Sequence, residues 1–408
     1  MRRIRRRRIC CDGASTALLA DGVPRASGKT RIMHEAFETD LRGLAGRGRL
    51  RALRDRAGLD FTSNDYLGLA ESDELRGAAA DAVARGVPVG SGGSRLLRGN
   101  HPEHEALEAE AAAYFGAETA LYFGGGYVAN LAIFSTLPQR GDLVVHDALI
   151  HASAHEGLRR CRAECVAAAH NDVDAFDAAI SRWRAAGGKG RPWIAVESIY
   201  SMDGDSPDLA ALFAVAERHE AMMVIDEAHA TGVLGPQGRG LAASFEGRDN
   251  VVTLHTCGKA LGTVGGFILA PRTIRDFLVN RARPFIFATA PSPLIAAITR
   301  ASLELSRSNP ERRDRLARLV QFAGGELRRR CAIEPSGSHI LPVIIGADQA
   351  AVAVAASLQR RGFDVRAIRP PTVPEGTARL RIALTTNVDE TDVADLFEAL
   401  GEDIRKAA

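Results

Sequence analysis

Residues 251–266 read VVTLHTCGKALGTVGG. A short apolar run ends in Lys259, with Gly258 before it and Gly262, Gly265 and Gly266 after it. Lysine is ordinarily a surface residue. One set among glycines, just beyond an apolar run, sits where other atoms can come close. The run is continuous rather than alternating, the pattern of a strand buried on both faces.

The same texture recurs on either side. TALYF (119–123), GDLVVHD (141–147), WIAVES (193–198) and AMMVIDE (221–227) are strand-like. Helical stretches alternate with them: GGGYVANLAIFSTL (124–137), ALIHASAHEGLRRC (148–161) and LAALFAVAERHE (209–220). Strands alternating with helices predict an α/β fold, a large mostly parallel sheet covered by helices. Upstream, FETDLRGLAGRGRLRALRD (37–55) reads as a helix, and PEHEALEAEAAAYFG (102–116) as another with Gly116 as its C-cap. After Thr289 and APSPL (290–294) the texture changes. A charged helix (309–331), SHILPVIIG (338–346), AAVAVAASLQRRGFDVRAI (350–368) and a last helix from Asp389 predict a small C-terminal α+β domain. The expected division is an arginine-rich disordered tail (1–32), an N-terminal helical segment (33–68), a large α/β domain (69–305) and a small domain (306–408).

Composition bounds the function. A chain of 408 residues is too long for one ordinary core. Apolar residues at 46% and charged residues at 25% suit a soluble globular protein. No apolar run reaches the ~20 residues of a membrane span. Six scattered cysteines suit a reducing cytoplasm rather than a disulfide framework. Cys161 and Cys165 have no nearby Cys or His pair to complete a zinc site, so no metal is expected. The net charge of +2 is uneven: residues 1–32 hold 9 basic and 2 acidic side chains, leaving 43 basic against 48 acidic. The tail reads as a nucleic-acid or membrane arm, a transit-like presequence, or upstream codons ahead of a start at Met33; the last is preferred. The acidic remainder argues against nucleic-acid binding as the main activity.

The chemistry gathers at strand ends, where open α/β sheets bind ligands. Asp226 ends one strand and His229 follows it. Ser201 comes soon after the strand ending near Glu197, and His151 soon after another. YFGGGYVAN (122–130) is a glycine loop entering a helix, a natural phosphate cradle. Each feature alone has a bland reading: a helix N-cap for Asp226, a turn at Ser201, a satisfied polar histidine. Together they fit pyridoxal phosphate (PLP). A helix N-terminus takes its phosphate, a carboxylate its pyridinium nitrogen, an imidazole its ring face, and Lys259 its aldehyde as a Schiff base. To act as a base near neutrality Lys259 needs a lowered pKa, which desolvation favours.

From about Phe61 to Leu400 the sequence resembles the α-oxoamine synthases, fold-type I PLP enzymes that join an amino acid to an acyl thioester with loss of carbon dioxide. The resemblance rests on SNDYLGL (63–69), GSGGSRLLRGN (90–100), SMDGD (201–205), DEAHATGVLGPQGRG (226–240), TCGKALG (256–262) and IRPPTVPEGTARLRIALT (368–385). The second and last blocks lean toward the biotin-pathway branch, implying L-alanine and pimeloyl-CoA or pimeloyl-acyl carrier protein as substrates. The resemblance implies that Lys259 carries PLP and serves as acid–base at Cα. Asp226 would pair the pyridinium nitrogen, His151 stack on the ring, and His229 and Ser201 address the phenolic oxygen. Gly126, Tyr127 and Thr256 would lie at the phosphate or beside the ring. Thr289 would reach the phosphate of a neighbouring subunit, implying a homodimer. Asn64 and Arg381 would bind the amino-acid carboxylate, with Thr372 and Arg51 also touching substrate. The family's usual Ser-Gly-Phe at the glycine loop is here Gly125-Gly126-Tyr127. Rival expectations are a sister synthase using glycine or serine, an aminotransferase or decarboxylase on the same fold, and a nucleic-acid-binding protein guided by the tail.

Overall fold

The computed structural model describes residues 28–407, which fall into two compact units divided at Ala52/Leu53. The first unit carries α1 (Gly28–Gly46). This helix opens inside the stretch expected to be a disordered tail. It also ends nine residues before the expected Asp55, because Gly48 turns the chain at φ 70° and the Arg49 N–H closes back on the Leu44 carbonyl at 2.8 Å. The rest of the tail, residues 1–27, lies outside the described residues.

The second unit begins with β1 (Leu59–Asp60), α2 (Asp73–Ala84) and α3 (Pro102–Phe115). Local chemistry sets their ends. Ser72 Oγ accepts the Leu75 N–H at the start of α2, with Asp73 and Glu74 in its first turn. Pro102 opens α3 and Gly116 closes it at φ 90°, the left-handed cap expected of it.

The large sheet then forms from β2 (Thr119–Phe123), β3 (Leu143–Asp147), β4 (Glu164–Ala168), β5 (Pro192–Glu197), β6 (Met222–Asp226), β7 (Val251–Thr256) and β8 (Gly266–Ala270). Their spatial order is β2-β8-β7-β6-β5-β3-β4. All neighbours are parallel except those of β8, which runs antiparallel to β2 and β7. Between them run α4 (Gly126–Thr136), α5 (Ala152–Leu158), α6 (Val173–Ala185) and α7 (Leu209–His219). Every strand but β4 is buried along its length, because helices cover both faces. Ala129, Ile133, Phe134 and Ala154 of α4 and α5 pack with Val144, Ala195, Val224 and Val252 on one face. Phe176, Ile180, Leu212 and Phe213 of α6 and α7 pack with Val145, Ile194, Val196 and Ile225 on the other.

Beyond the sheet come α8 (Arg272–Arg281), α9 (Arg283–Ile286), α10 (Pro293–Ser308) and α11 (Glu311–Cys331). The small antiparallel sheet has the order β11-β12-β9. It is built from β9 (Ile340–Gly346), β11 (Ala367–Ile368) and β12 (Ala378–Ala383), with α12 (Asp348–Arg360), β10 (Phe363–Asp364) and α13 (Glu390–Ala407) around it. A core of Leu319, Leu327, Leu341, Leu380, Leu396 and Phe397 holds it, and Phe61, Tyr66 and Leu67 belong to that same core. The SNDYLGL segment is therefore fixed to the sheet that carries Arg381.

Candidate active site

Register brings the site together. Glu197 pairs with Asp226 across β5 and β6, and Asp226 with Leu254 across β6 and β7. Thr256 pairs with Gly266, which also pairs with Phe123. The carboxyl ends of β2, β5, β6 and β7 thus stand along one edge, and the β7–β8 connection carries Lys259 across it.

Two of the glycines near Lys259 admit protein atoms. Gly262 has φ 63°, and a Cβ there would stand 2.5 Å from the Ala70 nitrogen. A Cβ on Gly265, at φ 127°, would come within 2.3 Å of the Tyr122 ring. Both let protein atoms close in and hold the turn. Gly266 does face the cradle: its Cβ would lie 3.0 Å from the Gly126 nitrogen, the first amide of α4.

Lys259 is partly buried, and its Nζ lies 2.9 Å from Nε2 of His229. Nδ1 of His229 lies 2.6 Å from the Tyr66 hydroxyl. That hydroxyl donates to Asn64 Oδ1 at 2.9 Å and accepts from Arg381 Nη2 at 3.3 Å. Arg381 Nε donates to the Ser201 carbonyl at 2.5 Å. One hydrogen-bonded chain so joins Lys259, His229, Tyr66, Asn64, Arg381 and Ser201. Asp226 stands beside it, 6% exposed, its oxygens taking the Asn130 amide at 2.7 Å and the Ala228 N–H at 2.9 Å. Ser153 Oγ bridges Asn130 and His151 Nδ1, at 2.9 and 2.7 Å.

Burial sets the protonation states. Desolvation lowers the Lys259 amine to about 8 against the pull of Asp226 and Glu197. Desolvation, then the cations Lys259 and Arg381, hold His229 well below the usual imidazole range. His151 is lowered by burial too, and by Lys259, with Asp226 opposing. Glu197 is pushed well up, by burial first and Asp226 second.

These residues fit PLP on the structure's own terms. The α4 N-terminus has no side-chain cap, and Gly125, which precedes it, has open space where a Cβ would stand. Its first amides are available to an anion. Thr256, 8% exposed, lies beside Gly126, and Tyr127 is half exposed on the first turn. A buried carboxylate, an imidazole, an amine lowered to about 8 and an uncapped helix start supply the four kinds of contact the cofactor requires. Three further expected residues are exposed. Thr289 is exposed after α9, and Thr372 lies in an exposed turn after Arg369. Arg51 is exposed in the N-terminal unit. Among the described residues no group of His, Cys, Asp and Glu could hold a metal ion.

Four participants had no assigned role in the sequence. Tyr66 is one; its only signal was its place in SNDYLGL. Asn130 lies one helical turn after Gly126. Glu197 stood out only as a strand end. His339, fully buried, meets Tyr66 edge-on at 4.1 Å and bonds the His229 backbone, and burial lowers it to about 3.

Comparison with known proteins agrees with this geometry. Residues 56–400 match the aminotransferase class I and II family. The 8-amino-7-oxononanoate synthase of Anaeromyxobacter dehalogenans is 44% identical over 347 residues, covering 85% of this chain and 86% of that protein. A serine palmitoyltransferase from S. paucimobilis, solved with a PLP–myriocin aldimine, superposes with TM-score 0.83 at 26% identity, covering 92% of this chain and 98% of that one. The 8-amino-7-oxononanoate synthase of Francisella tularensis gives TM-score 0.73 at 26% identity, over 86% and 99%.

Proposed function

We propose, from the premise that the chain belongs to the aminotransferase class I and II family, that the Lys259 pocket condenses L-alanine with a pimeloyl thioester. The chain is a PLP-dependent acyltransferase of the α-oxoamine synthase branch, and its reaction forms 8-amino-7-oxononanoate for biotin biosynthesis. The observation that carries this reading is the Lys259 amine, lowered to about 8 beside a buried Asp226.

PLP, when bound, supplies an aldehyde for an amine and a ring that takes up the electron pair left on the amino-acid Cα. Asp226 would pair with the pyridinium N–H. The first amides of α4 and Thr256 would receive the phosphate, and His151 would cover the ring. Ser201 and His229 would address the phenolic oxygen. Lys259 first serves as nucleophile. Once free of the cofactor, its amine would be the base that takes the proton from the L-alanine Cα and later returns one. Arg381 spends Nε and Nη2 inside the protein and keeps Nη1 for the substrate carboxylate, which Asn64 also meets. Thr372 belongs to the substrate side. The acyl carbon is attacked by Cα, the thiol leaves, and carbon dioxide departs from the resulting β-keto acid.

The active unit is a homodimer in this reading. Val89, Leu97 and Phe287 are 73%, 83% and 70% exposed on segments tied together by the Ala290 N–H to Gly93 carbonyl bond, 2.8 Å. A second copy would cover them and bring its Thr289 to the phosphate. Sparse cysteine use favours the cytoplasm, and among the described residues no helix is long and apolar enough to cross a membrane. The test is the mass of the product from L-alanine with pimeloyl-CoA and with pimeloyl-acyl carrier protein. The expected product is 8-amino-7-oxononanoate. Thiol release with glycine or serine but not alanine would favour a sister reaction.

A further inference from the structure

The hydrogen bonds around Tyr66 leave little freedom in where protons sit. A tyrosine hydroxyl has one proton to give. Here it goes to Asn64 Oδ1 at 2.9 Å. Arg381 Nη2, which can only donate, points at the same oxygen from 3.3 Å. The third partner, Nδ1 of His229 at 2.6 Å, must then donate to Tyr66 rather than accept from it. His229 is 4% exposed and neutral, so it carries one ring proton. With that proton on Nδ1, Nε2 presents a lone pair to the Lys259 amine 2.9 Å away.

We propose that Tyr66 and Asn64 are positioning residues that hold His229 with its proton on Nδ1, so that the Lys259 amine donates an N–H to Nε2 and keeps its own lone pair free for a carbonyl carbon. The opposite tautomer would do the reverse. Its Nε2–H would point at Lys259 and occupy the electron pair the nucleophile needs. His339 seats the arrangement from behind. Its ring meets Tyr66 edge-on at 4.1 Å and bonds the His229 backbone. The remaining ring nitrogen of His339 is buried and unpartnered. A backbone-anchored neutral imidazole fixes the Tyr66 ring without adding a charge near Lys259.

The inference rests on Lys259 being the cofactor's lysine, and the test separates the two ideas. The full-length protein, freed of cofactor and with 15N-labelled histidine, is examined by NMR for the His229 tautomer. The rate at which it captures PLP is then followed by visible absorbance. The wild type should show Nδ1–H. Asn64→Ala, which frees the tyrosine proton to turn toward His229, should convert the ring to Nε2–H and slow capture about tenfold. Tyr66→Phe, which leaves neither tautomer preferred, should slow it two- to threefold. Thermal midpoints identify any variant that fails to fold, and the other then carries the test. A wild-type ring with Nε2–H overturns the proposal, as do variants that keep both the tautomer and the rate. A wild type that captures no PLP at all overturns the reading of Lys259 itself.

Discussion

A lysine amine lowered from its usual 10.5 to about 8 prefers its neutral form by roughly 3 kcal/mol relative to water. Desolvation by the surrounding strands outweighs the attraction of Asp226 and Glu197, and the sign fixes a pH dependence. Because the folded pKa lies below the unfolded one, the unfolded chain binds more protons between about pH 8 and 10.5. The Lys259 contribution therefore makes the cofactor-free protein more stable as pH rises through that window. Lys259→Met, measured by denaturant unfolding at pH 7 and pH 10, should stabilise the cofactor-free protein more at pH 7. Arg381→Ala should raise KM for L-alanine by about 100-fold, the loss of a charge-assisted carboxylate contact, with a smaller fall in kcat; steady-state kinetics decide it. Lys259, Asp226 and His229 were legible because each follows a strand in the local sequence. Tyr66 and His339 were not, because their partners lie far away in the chain: Tyr66 meets His229 across 163 residues and Arg381 across 315.

The start of α4 and the end of β7 work as a pair of elements. The helix begins without a side-chain cap, and Gly266 lets β8 run close beneath its first amide. Gly266→Ala should push that amide away by a few tenths of an ångström. PLP affinity should then fall about tenfold, the scale of one lost charge-assisted hydrogen bond, while the fold persists; equilibrium titration of PLP measures it. Glu227, next to Asp226 in sequence, does unrelated work. Fully buried, it accepts Ser198 Oγ at 2.7 Å and the N–H groups of Leu241 and Ala242 at 3.2 and 2.5 Å, pinning that loop. Among elements, the continuous apolar strands and capped helices could be read from periodicity. The β8 strand, GFILA, escaped because four apolar residues after a glycine pair carry no pattern. So did β4, whose exposed edge breaks the apolar run.

Loops from distant parts of the molecule are stapled behind the site by His170. Its ring nitrogens meet Asp147 and Asp205, each at 2.9 Å, joining the segment before His151 to the one after Ser201. The two carboxylates outweigh burial and raise its pKa to about 10. A folded pKa above the unfolded value near 6.5 gives stability that is complete below pH 6.5 and disappears as pH rises through 10. His170→Ala should cost about 2 kcal/mol at pH 6, the scale of hydrogen bonds to charged groups, with the gap narrowing toward pH 10; urea unfolding across that range reads it. At this scale the alternation of strand and helix carried the layered α/β architecture and the smaller C-terminal sheet. It could not show that Phe61 and Tyr66 pack into the core of that smaller sheet, since the pairing of β1 with β10 spans some 300 residues. The chemistry of the whole molecule converges on one amine. The full-length protein is supplied with PLP, reduced with borohydride, digested and mapped by mass. A reduced PLP adduct on Lys259 is the predicted result. An adduct on another lysine, or a protein that stays colourless and unmodified, would contradict the account.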